Sequence, residues 1–186
     1  AFDLGFIIGP CINAAGRLGD AKTSLEFLLE TDSFKANERA IELLNINNTR
    51  KDMTEQGTKT AIGLLETSDH LLMGAVPETG VAALSDRVLV MYIPKLHESL
   101  VGIIAGRIKE RYYRPVLLFT DSEEEGIIKG SGRSIEGYNM YDEINKCSDY
   151  FTKFGGHEMA AGFSMEKRNL ARLREKMNAN CTLDEK

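Results

Sequence analysis

Two short glycine-rich stretches carry the side chains best suited to hold an anion. One is Phe154-Gly155-Gly156-His157-Glu158-Met159-Ala160-Ala161-Gly162; the other is Lys129-Gly130-Ser131-Gly132-Arg133-Ser134. Paired glycines reach backbone angles closed to other residues. Successive N–H groups in such a bend converge on an anion, often a phosphate. His157 at the lip adds a ring donor, and Ala160, Ala161 and Gly162 let a ligand approach the backbone. Gly155 and Gly156 also fit a plain turn between a helix and a strand with a surface histidine, and a short glycine motif does not separate the two readings. In the second stretch Gly130 and Gly132 expose backbone N–H groups, Ser131 and Ser134 offer hydroxyls, and Arg133 offers a bidentate fork. A bulged strand is the competing explanation there.

Two further polar centres precede these. Asn13 and Arg17 lie in Phe6 to Asp20, which Gly and Pro punctuate, so it reads as an irregular loop. The planar fork of Arg17 suits phosphate or carboxylate and equally suits a local acid. Arg50 and Asn47 fall in the polar run Asn45 to Asp52 and are available for a phosphate or belong to a solvated face.

The elements that must position these residues follow from the apolar pattern. Asp20 caps a short helix with a stripe of Leu25, Leu28 and Leu29, broken at Thr31-Asp32-Ser33. No proline interrupts the stretch from Phe34 to Glu66, which predicts one long helix of roughly 50 Å. Apolar at both ends and polar in its middle, it suits a connector between two lobes whose exposed middle lines a cleft. Thr67 to Arg87 is loop-rich, with a short strand around Val81 to Leu84. Val88 to Ile93 reads as a buried strand. Ser99 caps a helix over Leu100 to Arg111, in which Gly102 and Gly106 permit close packing. The basic end at Arg107, Lys109, Arg111 and Arg114 complements the helix C-terminus without a nucleic acid. A strand over Pro115 to Thr120, an acidic turn, and a returning strand over Ile127 to Ile135 come next. Asn139 caps a helix over Tyr141 to Tyr150, Ala161 to Met165 is another strand, and Leu170, Leu173 and Met177 mark a last helix. The order strand, helix, strand, strand, helix, strand, helix describes an α/β domain from about Ser68 onward.

Composition narrows the class. At 186 residues and 42% hydrophobic, the chain can build a normal core. No apolar run approaches the roughly 18 residues of a membrane span. The opening Ala1-Phe2-Asp3 has neither an initiator Met nor a basic leader, so a piece of a longer protein is expected. Cys11, Cys147 and Cys181 are widely spaced, which argues against a disulfide framework or a zinc site and fits a reducing cytoplasm. His70, His97 and His157 are equally scattered, so no metal site is expected in this chain. A net charge of −5 does not suggest non-specific nucleic-acid binding, although local patches matter more than the total.

Three segments together resemble the RecJ-type branch of the DHH/DHHA1 phosphoesterase family. Gly9-Pro10-Cys11-Ile12-Asn13-Ala14-Ala15-Gly16-Arg17-Leu18 is similar to a motif late in its catalytic domain. His97-Glu98-Ser99-Leu100-Val101-Gly102-Ile103-Ile104-Ala105-Gly106-Arg107 with Tyr112, Arg114 and Pro115 is similar to its second domain, DHHA1. So are Gly130-Ser131-Gly132-Arg133-Ser134 and Gly155-Gly156-His157 with Ala160-Ala161-Gly162. Family members often carry Arg where Cys11 stands.

The resemblance implies a remnant of the DHH domain over 1–33, a connecting helix over 34–67, and a DHHA1 domain with a mixed sheet flanked by helices over 68–186. It implies a single-strand-specific 5′–3′ exonuclease acting in DNA repair and recombination, using Mn²⁺ or Mg²⁺ held by aspartates and paired histidines of a first domain absent here. The chain alone is then expected to be inactive. Ser131, Arg133 and Ser134 would grip the backbone or terminal phosphate of single-stranded DNA, and Gly155, Gly156 and His157 would line the same cleft. Arg50 would be a second phosphate partner, with Asn13 and Arg17 beside the metal centre. The competing expectations are a related phosphodiesterase acting on oligonucleotides or cyclic dinucleotides, and a non-catalytic interaction module.

Overall fold

The computed structural model describes residues 2–71 and 82–183, the side chains of 68–71 excepted. The chain forms two compact units, Ala1–Gln56 and Gly57–Lys186.

The first unit is helical. A π-helical turn, Leu4–Ile8, runs into helix α1, Gly9–Leu18. The loop expected here is therefore a helix. Pro10 sits in its first turn, where a missing N–H costs nothing, so proline starts this helix and does not break it. Asp20 caps α2, Ala21–Leu29, by accepting from the Lys22 amide at 2.9 Å, as expected. The stripe of Leu25, Leu28 and Leu29 is exposed, not buried. α2 instead buries Ser24, whose hydroxyl donates to the Ile12 carbonyl at 2.9 Å.

The long helix is present as α3, Ser33–Leu71, and continues into the second unit. Its polar middle is solvated as expected at Asn45, Asn48, Thr49, Lys51 and Asp52, while Asn47 and Thr54 are buried. Each is satisfied along the helix itself. Asn47 Oδ1 accepts from Arg50 Nε at 3.2 Å, and Thr54 Oγ1 donates to the Arg50 carbonyl at 2.7 Å. Polar side chains paired in this way can leave water.

The second unit is built on one five-stranded sheet. Its elements are β1 Leu89–Tyr92, α4 Glu98–Tyr112, β2 Val116–Asp121, β3 Ile127–Arg133, α5 Met140–Asn145, β4 Phe151–His157, β5 Ala160–Glu166 and α6 Leu170–Asn180. The strand order is β1-β2-β3-β5-β4, with β1 and β2 parallel and the remaining pairs antiparallel. This is the mixed α/β sheet expected. Of the short strand anticipated around Val81 to Leu84, Ala82–Leu84 is coil and turn, and Val81 lies outside the described residues. Much of the loop-rich stretch before it, 72–81, lies outside them too, while 67–71 is still helix.

Helices cover the two faces unequally. On one face Val90, Leu117, Phe119, Ile128, Phe163 and Met165 pack with Met140 and Ile144 of α5 and Leu170, Leu173 and Met177 of α6. On the other, α4 lies over β2 and β3 and buries Leu100, Val101, Ile104, Ala105 and Ile108. β5 and β4 project beyond it. The N-cap of α4 is His97, not Ser99, and Ser99 lies in its first turn. The loop entering α4 is pinned from β2: Thr120 Oγ1 accepts from the Leu96 amide at 3.0 Å, and Asp121 accepts from the Lys95 amide at 2.8 Å. A bond from the Tyr92 hydroxyl, together with the one from the Lys95 amide, holds the Asp121 carboxyl below its ordinary pKa. Asn139 caps α5 as expected, accepting from the Asp142 amide at 3.2 Å. α5 is shorter than expected, giving way to a 3-10 turn at Ser148–Tyr150 before β4.

Glycine enters the sheet for packing as well as for freedom. A Cβ on Gly130 would lie 2.3 Å from the Phe163 ring and 2.7 Å from the Leu118 carbonyl oxygen. One on Gly155 would meet nothing within 4 Å. Chemical denaturation is expected to show Gly130→Ala destabilised by about 2–3 kcal/mol, with Gly155→Ala within about 0.5 kcal/mol of the parent.

Candidate functional site

Of Ser131, Arg133, Ser134, Gly155, Gly156 and His157, four (Ser131, Arg133, Gly155 and His157) share one face of the sheet. Three strands run in register. Arg133 pairs with Ala160, which pairs with His157; Ser131 pairs with Gly162, which pairs with Gly155; Gly132 pairs with Ala161, which pairs with Gly156. Directly opposed residues point to the same face, and successive residues to opposite faces. Arg133, Ser131, Gly162, Gly155, Ala160 and His157 therefore share the α4 face. Gly132, Ala161 and Gly156 fall on the α5 face, where a Cβ on Gly132 would lie 3.0 Å from Met140 Sδ. Strand spacing puts the Arg133 and His157 backbones about 10 Å apart, on opposite sides of β5.

The floor between them is nearly bare. Gly155 and Gly162 are exposed, with open space above both, and Ala160 adds a single methyl. The walls are polar. Arg133 Nη1 donates to Ser131 Oγ and to the Gly132 carbonyl, both at 2.7 Å, and Ser131 Oγ donates to the Ala161 carbonyl at 3.3 Å. This chain of bonds fixes the half-buried guanidinium over the sheet. His157 is exposed, and its Nδ1 accepts from the Met159 amide at 3.3 Å. An accepting Nδ1 leaves Nε2 as the ring's donor nitrogen. Toward the start of α4 the face continues into a cleft of about 230 Å³, lined by Ser99, Lys129, Ser131 and Ser164 among others. Glu98 lies 3.0 Å from Lys129 Nζ, and its hydrogen bond and charge raise the pKa of that ammonium.

Three expectations need correction. Gly155 and Gly156 do not form a bend with converging amides; they lie inside β4, and the turn comes at Glu158 and Met159. Gly156 is glycine for packing, since a Cβ would lie 2.4 Å from the Ala160 carbonyl oxygen and 2.6 Å from Ala161 Cα. Gly130 and Gly132 do not expose amides for a ligand either. β3 is flanked by β2 and β5 in unbroken register, so its backbone groups belong to two ladders, and no bulge interrupts it. Ser134 is buried, and its hydroxyl donates to the Tyr138 carbonyl at 2.5 Å, which commits it to the fold and removes it from the open face.

Asn13, Arg17 and Arg50 belong to the first unit. Asn13 and Arg17 are four residues apart on α1 and exposed, and Arg50 is half-buried beside Asn47. A cleft of about 470 Å³ also lies in that unit. Its lining includes Glu38 and Glu42 and no Lys or Arg, the wrong charge for a phosphate. Among the described residues, no three His, Cys, Asp or Glu side chains are grouped to hold a metal ion, and no helix is long and apolar enough to cross a membrane.

Period-two alternation is the signal that joins Lys129, Ser131 and Arg133 on one face of β3, and it is legible in the sequence. Gly102 has only its spacing from Gly106 to mark it there. In the structure Gly106 meets nothing within 4 Å, whereas a Cβ on Gly102 would lie 2.5 Å from Arg133 Nη2 and 3.1 Å from Ser131 Oγ.

A mixed sheet carrying a fixed arginine, a serine and a histidine over a bare glycine floor defines an α/β module suited to holding phosphates. The DHHA1 domain profile matches residues 85–182, and the chain belongs to that family. More particularly, it is similar to the single-stranded-DNA-specific exonuclease RecJ. It is 42% identical to that of Escherichia coli (strain K12) over 175 residues, 90% of this chain and 28% of that protein. It is 40% identical to that of Salmonella typhimurium (strain LT2) over 184 residues, 95% of this chain and 29% of that protein. The crystal structure of RecJ with Mg²⁺ from Thermus thermophilus superposes with a TM-score of 0.74 at 30% identity, covering 95% of this chain and 25% of that one. The same protein has been solved with Mn²⁺. The chain thus corresponds to the DHHA1 region of RecJ-type exonucleases and spans under a third of the length of these relatives.

Because the atom nearest a Gly102 Cβ is the tip of a flexible side chain, Gly102→Ala is expected to fold, with helix stability raised by up to about 1 kcal/mol. Arg133 must give way. The expected result is an unchanged or higher melting temperature together with a several-fold loss of oligonucleotide affinity, measured on the same preparation by thermal unfolding and fluorescence anisotropy.

Proposed function

We propose that this chain is the DNA-holding part of a single-strand-specific exonuclease, and that the open face of β3, β5 and β4 holds the substrate backbone. The observation that carries this reading is the placement of Ser131, Arg133 and His157 in adjacent rows of one exposed face. Arg133 supplies a fixed charge and a planar fork for phosphate oxygens. Ser131 and the Nε2–H of His157 supply neutral donors, and the glycine floor lets a backbone lie close to the sheet. Such contacts position a strand without reading its sequence. They also explain how an acidic chain holds a polyanion, since the local groups and not the net charge face the ligand.

Hydrolysis in the whole protein falls to groups outside this constellation. Relatives solved with Mg²⁺ or Mn²⁺ point to divalent metal use. The described residues offer no cage for such an ion. The role of this chain is to bind and orient. Arg50, with Asn13 and Arg17, forms a second set of phosphate partners from the first unit. Residues 1–33 are the end of the catalytic domain, 34–67 the connector and 68–186 the DNA-holding domain. The three cysteines are free and buried, in keeping with a cytoplasmic setting.

Anisotropy titrations of a labelled single strand at low salt test the site. Arg133→Ala is expected to weaken binding about tenfold or more, from loss of a charge-assisted bond, and to lower the salt slope by about 0.7. His157→Ala is expected to weaken binding less, because it removes a neutral donor. Affinities equal to the parent for both variants would remove this face from the site. With Mn²⁺ present the chain alone is expected to leave single-stranded DNA intact, and turnover would place the hydrolytic groups within it. The full-length protein is expected to turn over long single strands in preference to a dinucleotide or cyclic dinucleotide, and the reverse preference would favour a relative acting on those small substrates.

A further inference from the structure

One row of the open face remains unused by that reading. Two residues before Ser131 on β3 stands Lys129, which pairs with Ser164 of β5, which in turn pairs with Lys153 of β4. The row lies on the same face as Arg133 and His157, four residues further along the strands. Its register depends on a bulge: Phe151 pairs with Met165 and Lys153 with Ser164, so Thr152 is the extra residue. The bulge lets Phe151 and Phe154 both pack on the apolar face while Lys153 stays exposed on the other.

We infer that Lys153, with Ser164 and Lys129, is a second phosphate station on a track for an extended strand, a proposal that rests on the reading of the face given above. Rows two residues apart are separated by about 6.8 Å. That is twice the roughly 3.4 Å that one strand of a stacked duplex advances per nucleotide. One phosphate per row therefore fits a strand whose bases are unstacked and drawn out; the backbones of the outer rows, about 14 Å apart, are two such steps from one another, with the Arg133 guanidinium reaching back toward the middle row. The middle row, Ser131, Gly162 and Gly155, contributes no cation of its own; the Arg133 guanidinium reaches over its Ser131 end, 2.7 Å from Ser131 Oγ, and Gly162 and Gly155 leave the floor clear. Lys129 is shared with Glu98, 3.0 Å away, and feels Glu123 as well. An exposed pair of this kind contributes little and yields to a phosphate. The larger part of the station's charge is Lys153.

The test uses the 186-residue chain and 5′-phosphorylated oligothymidylates of one, two, four and eight nucleotides, with binding followed by NMR titration for the shortest and anisotropy for the longest. Lys153→Ala is expected to leave the mononucleotide affinity unchanged, to weaken the four- and eight-nucleotide ligands three- to tenfold, and to lower their salt slope by about 0.7. Lys153→Arg is expected to restore the longer ligands, and Arg133→Ala to weaken every length. If Lys153→Ala matches the parent for the eight-nucleotide ligand while Arg133→Ala is weakened, the second station is overturned and the first reading stands. If Lys153→Ala weakens the mononucleotide as much as the longer ligands, the two stations are one site and the track is overturned. If neither variant changes any affinity, both readings fall.

Discussion

Register between β3 and β5 is the constraint on which the open face depends. Side chains alternate along a strand with period two, so a slip of one residue would carry Arg133 and Ser131 into the apolar layer and turn Gly132 outward. The sheet is locked against that slip by packing on its other face. Phe163 of β5 lies over Gly130 of β3, where a Cβ would be 2.3 Å from its ring, and Met140 lies over Gly132. A bulky residue at either position would hold the strands apart or out of step. The chemistry of one face is thus placed by the steric fit of the other.

The glycines of this domain divide into groups with different physical duties. Gly130, Gly132 and Gly156 make room for rings, thioethers or backbone. Gly102 makes room for a guanidinium. Gly155 and Gly162 make room for nothing within the chain, and bare backbone at two opposed positions in a sheet forfeits cross-strand side-chain contacts of roughly 0.2–1 kcal/mol each. Bare backbone at an exposed position with no packing reason among the described residues is the feature on which the proposed ligand site rests.

Much of this architecture is legible in the sequence, and the places where it misleads share a cause. Buried strands at Val88 to Ile93 and Pro115 to Thr120, the long helix and the Asn139 cap all follow from local pattern, and local pattern survives in the fold. Glycine and proline mislead because their meaning is positional. Pro10 initiates a helix where its type suggests a break, and Gly155-Gly156 continues a strand where the pair suggests a turn. Ser134 stands close to Ser131 in sequence, yet Ser131 and Arg133 share the open face and Ser134 bonds to Tyr138 beneath apolar cover. The middle of the long helix is exposed along most of its polar run, yet Asn47 and Thr54 are buried. Their hydrogen bonds run along the helix, and no periodicity in the sequence reports that. The pairing of β3 with β5, which brings the two stretches together, is long-range and invisible to spacing alone, whereas β4 and β5 form a local hairpin about Glu158 and Met159.

The bulge at Thr152 has a consequence for the chain as a solute. β4 is an outer strand of the sheet, so one side of its backbone has no ladder partner among the described residues. A flat, glycine-bearing border of that kind is a template for intermolecular sheet growth. The extra residue twists the border, and the ammonium of Lys153 beside it repels an incoming strand of like charge and resists desolvation. The feature that places Lys153 on the face therefore also shapes the border at which an incoming strand would pair.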